Sequence, residues 1–311
     1  MAEGPAETPV SADIGQIRGR TWDDLMAVRV SLIMITHLMG ERQSLCLSAI
    51  AAHRPRADEI ILVVDGKDDA PLAGLGAVRV VRGRGAGRAA ARNDGAGAAR
   101  GDILVFLDGD MLTAPDFIAR HLAGHAQGHA FTRGRIRELI AAAARSRLDE
   151  AGPGFPGLRA ENLQRDGFTP AGFRASASLL EQAVEACHVE GRTEVPAWLA
   201  SAGANFAISR RLWRELGGQQ ERFGRRWGCE DLEFAFRVGR AGAGIAFLPE
   251  AAAWHLSHPQ PERWQAHEQA LALFGELHRD APDIAPLHAL LSEKGSLAAY
   301  LAALSAQTRM P

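Results

Sequence analysis

Tyrosine and cysteine are nearly missing from this chain, which has one tyrosine, Tyr300, and three cysteines, Cys46, Cys187 and Cys229, in 311 residues. Three distant cysteines make neither a disulfide framework nor a zinc cluster, and their scarcity points to a reducing, cytoplasmic compartment. Charge of one sign is scarce too. A net charge of −2 gives no global attraction for nucleic acid or anionic lipid. The basic stretch "VRGRGAGR" (81–88) has no aromatic stacking platform beside it, which argues against an RNA site. No window approaches 18 uninterrupted apolar residues, so no transmembrane segment is expected. The opening "MAEGPAETPVSADIGQ" carries acids where a signal peptide needs positive charge. What the chain does have is 47% hydrophobic and 23% charged residues, enough for a real core in one large domain or two small ones.

Residues 1–28 read as a flexible N-terminal extension, and strand and helix signals alternate after them. "RVSLIMIT" (29–36), "EIILVVD" (59–65), "AVRVVR" (77–82) and "ILVFL" (103–107) are short apolar runs rich in β-branched residues, the pattern of buried strands. "ERQSLCLSAIAAH" (41–53), the alanine-rich 85–100 and the stretch after Pro115 have helical spacing. This alternation predicts an α/β fold with a mostly parallel central sheet flanked by helices. Ligands of such sheets collect beyond the carboxyl ends of the strands, where Asp65 and Asp108 stand. Further on, "RIRELIAAAARSRLDEA" (135–151) reads as a helix with arginines on its exposed face. Residues 152–174, rich in Gly and Pro, read as a long functional loop. "ANFAISRRLWRELGG" (204–218) is a strand followed by a helix closed by glycines. "CEDLEFAFRVGRAG" (229–242) is an amphipathic helix, and 243–259 is a last strand. Residues 261–311 form a helical C-terminal tail.

Three groups of residues carry chemistry. Asp108 and Asp110 follow a buried strand as Asp-Gly-Asp. Two carboxylates there repel unless a cation or solvent screens them, and hard divalent ions, Mg²⁺ or Mn²⁺, prefer such oxygens. A plain strand-to-helix turn is the competing explanation. Glu230 and Asp231, after Trp227 and Gly228, open a predicted helix, where they act either as caps favoured by the helix dipole or as a general base. In "WHLSH", His255 and His258 compete as a third metal ligand at a strand exit.

Taken together, "SLIMIT", "ILVVDG", "GAGRAAARNDGAGAARGDILVFLDGDM" and "WGCEDLEFAFRV" resemble the GT-A glycosyltransferases, especially the family-2-like inverting enzymes. The Trp-Gly-x-Glu-Asp element also resembles the galactosyltransferase-like branch. The matches spread over residues 30–258. The resemblance implies a Rossmann-like GT-A domain over 29–260. Its nucleotide-sugar half would be 29–120, its variable acceptor-side segment 121–200 and its catalytic half 201–260. It implies that Asp108 and Asp110 bind a divalent metal, Mn²⁺ or Mg²⁺, with Asp108 nearer the donor ribose and metal and Asp110 ligating the metal directly, and that His255 completes the metal site. It implies that Asp65 meets the nucleotide base and that Thr36, Gly87, Arg88 and Arg92 belong to the donor site. Helical salt bridges explain the two arginines equally well. Asp231 becomes the catalytic base, and Glu230 a hydrogen-bond partner of acceptor or donor sugar.

The implied reaction moves a sugar with inversion from a nucleotide-sugar donor, a UDP-sugar first, to a saccharide, natural product or peptide. Two departures bear on the nucleotide pocket. The first strand ends in Thr36-His37 instead of a Tyr-Asn type pair, and "DGKDDA" replaces Asp-Asp-Gly-Ser. A sugar-nucleotide-forming nucleotidyltransferase is the first rival, but "HLMGER" after the first strand is a poor phosphate cradle. A dinucleotide-dependent oxidoreductase fails because the glycines of "GRGAGR" do not follow the first strand. A catalytically inactive binding module is the third, and the four intact carboxylates argue against it.

Overall fold

The computed structural model describes residues 28–37, 40–66, 77–141, 173–257 and 263–307. The N-terminal extension, most of "DGKDDA", residues 142–172 of the expected helix and loop, and His258 lie outside them. The first half alternates β1 (Val30–Thr36), α1 (Glu41–Ala51), β2 (Glu59–Val64), β3 (Val78–Arg82), α2 (Arg88–Ala98) and β4 (Ile103–Asp108). It continues through β5 (Met111–Thr113), α3 (Phe117–Ala126), β6 (Phe131–Ala141), β7 (Phe173–Ser176) and α4 (Leu179–His188). The second half adds β8 (Asn205–Ser209), α5 (Arg210–Glu215), α6 (Glu230–Arg240), β9 (Ile245–Leu256), α7 (Arg263–Leu277), α8 (Leu287–Leu290) and α9 (Leu297–Gln307).

One sheet runs β3-β2-β1-β4-β8-β6-β9-β5, with β7 paired to β6. The strands β3, β2, β1 and β4 are mutually parallel, as βαβ alternation requires. β8 is antiparallel to β4 and to β6, so β6 and its parallel neighbour β9 again point the same way as β4. The carboxyl ends of β1, β2, β4, β6 and β9 therefore share one edge. Because strand order reverses between β1 and β4, the crevice opens there.

Why these runs are strands is visible in their two faces. Leu32, Met34, Leu62, Val64, Val105 and Leu107 pack toward α1 and α3. Their neighbours Ile33, Ile35, Ile61, Val63, Leu104 and Phe106 pack toward α2, α5 and α6. Burial on both faces is what makes the runs continuously apolar instead of alternating. Phe106 stacks on its cross-strand partner Phe206 at 4.6 Å and on Trp213 at 4.7 Å, and each buried ring of this kind contributes about 1.5–3 kcal/mol. A separate apolar cluster joins α4, α6, α7, α8 and α9, so the C-terminal helices are packed against α4 and α6.

One expectation fails here. Residues 135–141, expected to begin a helix, belong to strand β6. Arg133, Arg135 and Arg137 recur at the strand period of two. Arg133 pairs with Glu181 of α4, and Arg135 and Arg137 each reach Glu185 at 2.8 Å. Ion pairs from a distant helix make a polar-looking strand acceptable inside a sheet, and pairing with both β8 and β9 overrides the local helical propensity.

Candidate active site

The acidic tip after β4 is shaped by its neighbours. Ile35 pairs with Asp108 across β1 and β4. The place a side chain on Gly109 would take lies 2.9 Å from the Thr36 Cβ. Thr36 is thus packed against the Asp-Gly-Asp turn. Past the turn, β5 pairs with the end of β9, with Met111 opposite His255, and the Asp110 carbonyl accepts from the Leu256 N–H at 2.9 Å. That pairing brings two motifs 145 residues apart together: His255 Nε2 lies 3.1 Å from Asp110 Oδ2. Burial works against a charged imidazole, but Asp110 and Glu138 outweigh it and hold His255 well above its ordinary pKa. An acidic oxygen and an imidazole nitrogen converging here become a donor set suited to a divalent cation once the ion displaces the Nε2 proton. Among the described residues no three or more His, Cys, Asp or Glu side chains are grouped to hold a metal alone. The pair fits an ion that takes its other ligands from a substrate diphosphate and water.

The second pair is placed by α6. Cys229 before it has φ 69°, Gly228 has φ 92°, and the helix begins at Glu230. A side chain on Gly228 would lie 2.2 Å from His267 Nδ1. His267, on α7, is buried, has its ring tilted against Trp227 with centroids 5.1 Å apart, and lies 4.0 Å from the Cys229 Sγ. The Asp231 carboxylate accepts from the N–H groups of Gly203 at 2.7 Å and Leu232 at 2.8 Å. Glu230 is buried and accepts on Oε1 from Arg88 Nε at 2.8 Å and Arg92 Nη1 at 3.1 Å. Burial would raise the Glu230 pKa, but the two guanidiniums overcome it and hold it low. Burial and the Glu230 charge push the Asp231 pKa up, so its carboxylate is the more basic of the two.

Arg92 joins the two acidic pairs. Its side chain is 1% exposed, and Nη2 donates to Asp108 Oδ1 at 3.0 Å while Nη1 donates to Glu230 and to Gln219 Oε1. The Arg92 guanidinium, expected at the donor site, is enclosed by protein, with Asp108, Glu230 and Gln219 as its partners. Arg88 is one-third exposed and bonds Glu230 and the Arg226 carbonyl.

Asp65, past the end of β2, accepts from the N–H groups of Gly85 at 2.7 Å and Gly87 at 2.9 Å. It clamps the glycine-rich turn that starts α2. Gly87 has φ 100°, and a side chain there would lie 1.9 Å from the Gly224 carbonyl oxygen, so the turn is pressed against the segment leading to Trp227. The fold thus gathers Asp108, Arg88, Arg92 and Glu230 in one network with Asp231 next to it on α6, Asp110 with His255 in another, and Asp65 with Gly87 in a third. Sequence reasoning missed Glu138, Gln219, Gly203 and His267. The glutamate was hidden by the helical reading of β6, and the others have no motif of their own.

The glycosyltransferase-like family 2 model matches residues 32–272. The chain belongs to this family. It is a glycosyltransferase by family, and solved structures agree on the fold. A structure of GalNAc-T7 with UDP, GalNAc and Mn²⁺ superposes with TM-score 0.55 at 17% identity, over 90% of this chain and 54% of that one. Thus the chain spans about half the length of that protein. Glucosyl-3-phosphoglycerate synthase from Mycobacterium tuberculosis, with Mn²⁺, UDP-glucose and phosphoglyceric acid, superposes with TM-score 0.53 at 18% identity, over 83% of this chain and 84% of that one. Among the described residues of this family-2 glycosyltransferase no helix is long and apolar enough to cross a membrane.

Proposed function

We propose that this chain transfers a sugar from a nucleoside diphosphate sugar to an acceptor nucleophile, with inversion, and that Asp231 is the general base. The observation that carries this reading is the Arg92 bridge, which ties the acid pair at the end of β4 to the acid pair at the start of α6. Both pairs lie at the edge where ligands of such sheets bind. The two similar structures that hold Mn²⁺ and UDP or UDP-glucose support a UDP-sugar donor and a divalent ion.

In this reading residues 29–120 hold the donor, residues 201–260 carry the catalytic half, and the clamped turn at Gly85–Gly87 shapes the nucleotide pocket. Asp110 and His255 would hold Mn²⁺ or Mg²⁺, which when bound offsets the charge on a departing diphosphate as a Lewis acid. Asp231 takes the proton of the acceptor as the new bond forms. Its raised pKa suits this, because a more basic carboxylate accepts a proton more readily near neutral pH. Glu230, held ionised by Arg88 and Arg92, keeps that basicity high and is itself too buried to serve. Arg92 fixes the spacing between Asp108 and the base, so it is a positioning residue.

Asp231→Asn keeps the shape and removes the base. Turnover of nucleotide sugar with acceptor should fall about 10²–10⁴-fold, with UDP affinity by calorimetry unchanged; an undiminished rate rules out Asp231 as base. Asp110→Ala should abolish the effect of Mn²⁺ on UDP affinity, and a wild type whose nucleotide affinity ignores Mn²⁺ and Mg²⁺ overturns the metal reading. Pyrophosphate release from a nucleoside triphosphate and a sugar phosphate would instead identify a nucleotidyltransferase. Absence of turnover with every donor would leave a binding module.

A further inference from the structure

His255 stands between two carboxylates, and only one belongs to the acidic motif. Its Nε2 is 3.1 Å from Asp110 Oδ2, and its Nδ1 is 2.7 Å from Glu138 Oε2. The second contact is built into the sheet. β6 and β9 run parallel with Glu138 directly opposite His255, so backbone pairing sets the distance between the two side chains. Ser257, two residues beyond His255, donates its hydroxyl to the same Glu138 oxygen. The Glu138 side chain is 29% exposed.

An imidazole offers two nitrogens, and the one that meets a metal is decided by what the other one bonds. A carboxylate receiving the Nδ1 hydrogen fixes the ring plane and leaves Nε2 as the nitrogen turned toward Asp110. We propose that Glu138 is a positioning residue of the divalent-cation site. It holds the His255 ring so that Nε2 and Asp110 Oδ2 face one ion, and Ser257 in turn holds Glu138. This inference rests on the metal reading given above. It assigns Glu138 a place behind the ring, out of contact with the ion, because Glu138 and Asp110 bond opposite nitrogens. Arg137, the preceding residue, bonds Glu185 on α4 instead, so the two neighbours on β6 serve different partners.

The test uses the full chain and reads metal affinity instead of turnover. Mn²⁺ is titrated by calorimetry into wild type, Glu138→Gln, Glu138→Ala and His255→Ala, each saturated with UDP. UDP affinity in EDTA and thermal unfolding are measured in parallel. Glu138→Gln should weaken Mn²⁺ about 10–100-fold, with UDP affinity in EDTA and the unfolding midpoint near wild type. Glu138→Ala should weaken it at least as much, and His255→Ala more than either. Mn²⁺ affinity equal to wild type in both Glu138 variants, with His255→Ala impaired, overturns the positioning role and leaves the metal reading standing. Loss of folding in Glu138→Gln together with unchanged Mn²⁺ affinity in the folded fraction marks a purely structural carboxylate and also overturns it. A wild type indifferent to Mn²⁺, or His255→Ala binding it normally, overturns the metal reading and this inference with it.

Discussion

Asp108 and Glu230 share one buried guanidinium, while their chain neighbours Asp110 and Asp231 are turned to other partners, an imidazole and two backbone N–H groups. Each acidic pair is split the same way. One member is neutralised by Arg92 and sets geometry, and the other is the one to which the proposed function gives a cation or a proton. Adjacent carboxylates would otherwise repel and raise each other's pKa. The pairs differ in what surrounds them. The β4 pair lies on a short turn between two strands. The α6 pair starts a helix whose entry is packed under α7, far from it in sequence.

Breaking the shared link should have the largest effect. Arg92→Met leaves Glu230 buried with Arg88 as its remaining cation, and removing one partner of a buried ion pair costs about 3–5 kcal/mol. Urea unfolding should show that loss. Adding Glu230→Gln should recover part of it, as coupled neighbours do; strictly additive losses would mean that Arg92 does not join the two pairs energetically. A smaller effect is expected where the pairs differ. Gly228→Ala places a side chain against His267 at φ 92° and should cost about 1–3 kcal/mol. Combining it with His267→Ala should relieve the contact and leave only the backbone strain. No relief would remove α7 from the shaping of this turn.

The smallest effect sharpens the split within the α6 pair. A base must be ionised, so with Asp231 in the proposed role turnover should fall as pH drops through its pKa. Burial and the Glu230 charge raise that pKa. Glu230→Gln removes the neighbouring charge, so the acidic limb of the kcat/KM profile should move to lower pH. A limb that stays in place, or moves up, assigns it to another group.

Much of the parallel half could be read from the chain because its signals are local. β1, β2 and β4 are apolar runs buried on both faces, and Asp108 follows from where β4 ends. The αL entry to α6 was invisible: Cys229 adopts φ 69° although nothing in its side chain favours it, and His267, which packs against this entry, is 38 residues away. Glu138 was missed for a related cause. Alternating arginines in β6 look solvated until Glu181 and Glu185 on α4 are seen beside them.

The sequence by itself determined the βαβ alternation, the strand ends that carry Asp65 and Asp108, and the helix that begins at Glu230, since periodicity and short-range chemistry suffice for these. Only the tertiary structure decided that Arg92 is shared by two acidic pairs, that β5 and β9 bring Asp110 to His255, and that Glu138 stands behind that ring. Those contacts depend on strand order and register. Pairing energies are gained between residues more than a hundred positions apart, and no local pattern encodes which of them will meet.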